Sequence, residues 1–255
     1  MRFAVLVAMV SASTVACGAG VFRQYEYEED VYLALDASAT IYVNSSIAAL
    51  NALRGTSFDT SPAARVDRDA VRAFYTTPNT HVTWVRASRR NGRRFVHVRL
   101  ECDDVRKLGE TAPFAWSSYR FDRDANVFVY QQTLSGSAGK AVESVGWTGK
   151  ETVAFRLHLP SKIEYHTRNP MDPDADNLRR GNIVVWEQPF KDRLRGEPLT
   201  LDARMQTQSI LYRTLWLFGA TFLVVAAGFG LVIWRVMRAG SAVDVQKTAA
   251  PTSPR

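Results

Sequence analysis

The stretch Thr214–Trp234, TLWLFGATFLVVAAGFGLVIW, runs for 21 residues without a charge. At ~1.5 Å of rise per residue, a helix of that length spans roughly 31 Å, about the thickness of a bilayer's hydrocarbon core. A soluble helix this long normally carries a polar face, and this one has none. It reads as a transmembrane helix over 209–236, and the rest of the chain is organised on either side of it. Trp216 and Trp234 bracket the span, where amphipathic rings favour the two membrane interfaces. Arg235 and Arg238 follow directly, then Lys247 and Arg255, opposed only by Asp244. By the positive-inside rule the 237–255 tail is cytoplasmic. Arg213 on the other flank weakens that bias without reversing it.

The N-terminus agrees with this topology. Residues 1–16 hold one cation (Arg2), an apolar run and then small residues, the pattern of a secretory signal. Thr14-Val15-Ala16-Cys17 approximates a bacterial lipobox, in which a small residue precedes the cut and the Cys17 thiol carries the lipid. Thr14 departs from the aliphatic residue usual there. Residues 17–21 then form a short tether. Export and stop-transfer together put residues 22–208 outside the cytoplasm, on a bacterial membrane crossed once. The chain has two cysteines. An acylated Cys17 leaves Cys102 without a disulfide partner, whereas a free Cys17 could pair with it in an oxidising compartment.

The net charge of +7 is mostly topogenic. The region Arg23–Arg204 carries only +2, and the rest lies in the terminal segments. That distribution argues against a nucleic-acid partner. One basic run remains, Arg86, Arg89, Arg90, Arg93 and Arg94. It reads either as a solvated hairpin tip or as a contact for anionic head groups or an acidic partner.

Within 22–208 the pattern is mainly period two. Tyr25, Tyr27, Val31, Leu33 and Leu35 alternate, Asp36-Ala37-Ser38 suits a turn, and Ala39, Ile41 and Val43 resume. Glu26, Glu28 and Asp30 fall on the other face, which is expected to be wet. Ser45–Arg54 changes to helical period, with a serine cap before it and Gly55 to end it. Asp67–Tyr75 is a second short helix. Asn91-Gly92 between Thr80–Ser88 and Arg93–Glu101 predicts a hairpin with a two-residue turn. Asp103–Leu108 has a short helical look. Another hairpin is expected over Trp116–Leu134, turning at Asp122–Asn126, then a loop over Ser135–Lys150 with Trp147 as its apolar anchor. Strands follow at Thr152–Leu159, Asn182–Trp186 and Leu199–Met205. The prediction is an α+β domain of antiparallel hairpins with two or three short helices.

No catalytic motif stands out. His81, His97, His158 and His166 are scattered without zinc spacing, and Asp172, Asp174 and Asp176 lack the glycine and distal glutamate of a calcium loop. There is no G-x-S-x-G, P-loop or dinucleotide fingerprint. Neither metal nor cofactor is expected, and the chain reads as a non-enzyme. Aromatic residues crowd the strands instead, among them Tyr27, Trp84, Trp116, Phe121, Tyr130, Phe155 and Trp186. They are either packing or the lining of a cleft for a lipid-like ligand.

Val153-Ala-Phe-Arg-Leu-His-Leu-Pro160, then Asn182-Ile-Val-Val-Trp186, then Pro198-Leu-Thr-Leu-Asp-Ala203 ahead of a membrane helix resembles the C-terminal part of LppM-like lipoproteins of the actinobacteria. The layout is similar too: lipobox, β-rich exported domain, single helix, short tail. Ser161 stands where a glycine is common. The resemblance covers about a fifth of the chain and implies an α+β envelope protein that binds lipid; it carries over no functional residue. The expected function is thus a membrane-anchored module for a lipid-like or other apolar ligand. The alternative is a protein that docks another envelope component through Arg86–Arg94.

Overall fold

The computed structural model describes residues 23–137, 145–174, 176–179 and 181–248. The segments read as signal and tether, with Cys17, lie outside them. The chain divides into two units, one up to Thr207 and one from Gln208.

The first unit is built on two sheets. The larger has seven strands in the order β3-β4-β2-β1-β7-β10-β9, and the smaller has four in the order β5-β6-β11-β8. The strands are β1 (Gln24–Leu33), β2 (Ala39–Ser46), β3 (Thr80–Arg90), β4 (Arg93–Cys102), β5 (Ser117–Asp124), β6 (Val127–Leu134), β7 (Glu151–His158), β8 (Ser161–His166), β9 (Leu178–Arg179), β10 (Ile183–Pro189) and β11 (Leu199–Ser209). Among the described strand pairings one is parallel: β1 runs alongside β7, with Tyr27 opposite Val153 and Tyr32 opposite His158. A parallel pair needs a long crossover, and here β2 to β6 intervene. The fold is α+β and mostly antiparallel, as the periodicity predicts.

Short helices close the layers. In α1 (Ile47–Arg54) the Ser46 hydroxyl accepts from the Ala49 amide at 3.0 Å, and Gly55 ends the helix in the left-handed region at φ 71°. Eight residues make a marginal helix in water, so its buried Ile47, Leu50 and Leu53 hold it against the large sheet. In α2 (Arg68–Tyr75), Asp67 caps the first turn, and Val71 and Tyr75 are buried. A 3-10 turn spans Val105–Glu110, and a five-residue helix α3 (Phe190–Leu194) follows β10.

The β3–β4 turn is Asn91-Gly92, at φ 50° and 74°, and Arg90 pairs directly with Arg93 across it. This is the geometry of a two-residue hairpin turn with both residues left-handed. The β5–β6 turn is tighter than the sequence suggests: β5 continues through Asp124, and only Ala125 and Asn126 are left between the strands. The strand β8 departs from the sequence reading, in which Pro160 simply ends a strand. Ile163 is its buried contact.

One expectation fails at β1. Glu26 is completely buried, although the even face is predicted wet. The register against β7 shifts between Tyr25 and Tyr27, an irregularity that redirects side chains. Glu26 lies under Arg93 and Trp147. Glu28 and Asp30 stay half-buried and share Arg156, at 2.8 and 3.1 Å.

The aromatics fill the core. Trp116 meets Tyr27 edge-on at 5.4 Å and Phe155 at 5.9 Å between ring centroids. Tyr130, Phe121 and Trp186 are buried beside them. These rings pack on each other. Cys102 is buried and has no disulfide partner among the described residues. Burial, the largest influence, pushes its thiol up to about 12. A Cys17–Cys102 bond involves a residue outside those described.

The second unit is the helix α4 (Ile210–Thr248). Its segment Ile210–Arg238 is long and apolar enough to cross a bilayer. Leu217, Phe222 and Trp216 are 70, 72 and 65 % exposed. So much bare apolar side chain is stable only in an apolar solvent or against a partner. The helix continues past Arg238 into the segment read as tail.

Candidate functional site

The two strands divide the five arginines of the hairpin. Arg86, Arg89 and Arg90, at the end of β3, are exposed, whereas Arg93 and Arg94, which open β4, are buried. The run therefore has two roles within one turn of chain.

Arg93 belongs to an interior network. Its Nη2 lies 2.9 Å from Glu26 and its Nη1 3.8 Å from Glu151. Nη1 also donates to the Gly146 carbonyl at 3.1 Å. Trp147 Nε1 donates to the other Glu26 oxygen at 3.2 Å. Burial holds the Glu26 carboxyl above the usual carboxylate range, against the lowering influences of Ser46, Arg93 and Trp147. Glu151 behaves oppositely. Burial raises it, but the amides of Thr148 and Gly149 donate to it at 2.6 and 2.8 Å and outweigh that effect.

Arg94 fastens the loop that precedes α2. It donates to the carbonyls of Ala64, at 3.0 Å, and Asp59. Arg89 donates to the Pro62 carbonyl at 2.5 Å. Arg90 reaches the Tyr25 carbonyl and covers the Phe95 ring at 4.2 Å. Arg86 lies 4.8 Å from the Trp84 centroid. The guanidiniums thus hold the loop and the start of β1 against the hairpin.

Between hairpin and loop they leave a groove of about 320 Å³. Ala64, Val66 and Ala87 supply its apolar surface. Arg65, Arg68, Arg89 and Arg94 supply its charge, and among the described residues no carboxylate lines it. On the other side of Arg94 a second cleft, of about 250 Å³, is bounded by Ser46, Ile47 and Ala48 at the start of α1, by Pro62 of the loop and by Arg93 and Gly92. Both hollows combine methyl-rich walls with guanidinium groups. That suits a molecule with an anionic head and an apolar remainder.

Arg65 and Arg68 are missing from the sequence reading. Nothing in the local pattern links the 59–68 loop to the hairpin, because the link is Arg94 binding two backbone carbonyls. Trp216 and Trp234 lie on α4, both well exposed, and Arg238 sits 5.1 Å from the Trp234 centroid. Arg235 follows Trp234 in the same helix. Among the described residues no group of three or more His, Cys, Asp or Glu is placed to hold a metal. His158 stacks on Tyr32 at 3.8 Å, and His97 bridges Ser88 and Asn44 at 2.8 Å each.

No protein-family model matches the chain, and no curated protein matches it. Among solved structures it is similar to the folded domain of LppM from Mycobacterium tuberculosis, determined by NMR. The identity is 14 % and the TM-score 0.37, over 73 % of this chain and 93 % of that one. This is a distant structural likeness, and it assigns no ligand and no role.

Proposed function

We propose that the chain is a single-pass membrane protein of the bacterial envelope. Its exported domain binds an amphiphile with an anionic head, and it performs no catalysis. The observation that carries the reading is the groove beside Arg94, where three alkyl side chains adjoin four guanidinium groups and no described lining residue is an acid; the nearest carboxylate to Arg94 is the exposed Asp59, at 4.0 Å. The apolar Ile210–Arg238 helix supports the membrane location, and the arginines after Trp234 favour a cytoplasmic C-terminus. The core rings pack on one another, so this reading puts the lipid-like ligand in the surface groove rather than in a cleft lined by those aromatics.

Calorimetric titration of the full chain in nonionic micelles tests the groove. Hexyl phosphate is expected to bind, hexanol not to bind, and inorganic phosphate to bind more weakly than hexyl phosphate. At about 1 kcal/mol per surface charge, replacing Arg65, Arg68 and Arg89 together with Ser should weaken hexyl phosphate on the order of a hundredfold. Equal binding by the triple variant contradicts the assignment. Docking of an acidic envelope component is the second reading, favoured by the exposure of Arg86 and Arg90. Both lie outside the residues lining the groove, so reversing their charge should abolish docking and leave hexyl phosphate binding intact.

A further inference from the structure

A separate cavity of about 240 Å³ lies at the C-terminal end of α1, lined by Leu53, Arg54, Ala112, Ala115 and Trp116 and also by Gly136 and Ser137. Its charge lies in the interior. Arg54 is 1 % exposed and pairs with the equally buried Glu29 at 3.0 Å through Nη2. Its guanidinium is stacked 3.5 Å from the Trp116 centroid. Arg193, fully buried, lies 5.9 Å from the same centroid. It donates to the Ser135 carbonyl and, at 3.4 Å, to Gln188, and it forms no ion pair among the described residues. Burial, and then the charge of Arg54, hold Arg193 below the usual guanidinium range. Two buried cations therefore share one buried carboxylate around a single indole.

The hydrogen bonds are incomplete in the same place. Arg54 Nε and Nη1, Arg193 Nε and Trp116 Nε1 are buried donors without a partner among the described residues. Buried polar groups are nearly always satisfied, and an exception calls for an explanation. Apolar surface is supplied by Leu53, Ala112 and Ala115. At ~30 Å³ per water the space holds about eight waters, too little for a lipid.

We propose that this cavity binds a short-chain monocarboxylate. Its single negative charge balances the second buried guanidinium, and its alkyl chain lies along Leu53 and the two alanines. A dianion overcompensates the charge, and a neutral amide leaves it unbalanced.

Thermal unfolding of the full chain in nonionic micelles tests this, with sodium butyrate, butyramide, phosphate and chloride compared at equal ionic strength. Butyrate at about ten times its dissociation constant should raise the midpoint by about 3 °C, and the other three should raise it less. Ala112 and Ala115 are exposed, so Ala115→Phe should fill the cavity from its surface side without disturbing the ion pair. It should remove the butyrate shift and leave the midpoint in chloride unchanged. Arg193→Gln should reduce the shift while Arg193→Lys retains it. No butyrate shift in the unaltered chain, an equal shift with butyramide, or a shift that survives Ala115→Phe overturns the proposal. Hexyl phosphate binding at the Arg65–Arg89 groove should be unaffected by Ala115→Phe, so failure of one site is distinguishable from failure of the other.

Discussion

Arg54→Met is expected to destabilise the two-sheet domain by about 3–5 kcal/mol, because removing one partner of a buried ion pair leaves an uncompensated charge. The charge left behind is Glu29, 1 % exposed, whose remaining partners are Tyr27 at 2.8 Å, Gln132 at 3.2 Å and Tyr119 at 3.5 Å. These neutral donors solvate a carboxylate poorly compared with a guanidinium. The stacking of Arg54 on Trp116 is lost as well. Glu29→Gln combined with Arg54→Met removes both charges and should recover most of the loss. Urea unfolding of the full chain in nonionic micelles, followed by tryptophan fluorescence, measures the three variants. A loss under about 1 kcal/mol for Arg54→Met is the figure for a solvated surface pair and would contradict the burial described here.

Arg93→Met should cost a similar amount, about 3–5 kcal/mol at pH 7, with a pH dependence set by Glu26. The Glu26 carboxyl is held above its ordinary range by burial. Between the unfolded value of about 4.3 and the raised one, the folded state binds more protons than the unfolded state. Stability therefore falls as pH rises through that window. Arg93 opposes the shift, so its removal raises the folded value further and widens the window. The penalty of Arg93→Met should shrink as pH is lowered from 7 toward 5. Glu151 carries the opposite sign: its folded value is lowered, and its contribution is lost only as pH falls below the ordinary carboxylate range. Adding Glu26→Gln to Arg93→Met should flatten the profile between pH 5 and 7. A profile that stays steep would place the responsible group elsewhere.

Much of the domain is legible in the sequence because local chemistry dictates it. Asn91-Gly92 fixes a turn, Ser46 and Gly55 bound a helix, and the period-two runs become strands. What local pattern leaves out is partner choice across long separations. The β1–β7 pairing joins residues more than a hundred positions apart and is parallel, and no short-range signal announces it. β8 is short and follows a proline, so it resembles the end of its neighbour.

The sites divide the same way. The five hairpin arginines are visible as a run, but burial of Arg93 and Arg94 depends on Glu26, Glu151 and the 59–64 carbonyls. Glu29 could have been noticed, since it shares odd parity with Tyr27 and Val31 on the core side of β1. Arg54 could also have been noticed, seven residues after Ile47 on the stripe that carries Leu50. An acid and a base, each on an apolar stripe, signal a buried pair.

Carbonate extraction of membranes from cells expressing the full chain with a reporter after Arg255 tests the anchoring of this domain most directly. The chain should stay in the pellet, and the reporter should be active only as a cytoplasmic fusion. Replacing Leu223 and Val224 with Arg, at roughly 2.5–3.5 kcal/mol each in the helix centre, should release the protein into the supernatant. An unaltered chain that washes free, or a reporter that lies outside the cell, contradicts an exported domain held by Ile210–Arg238.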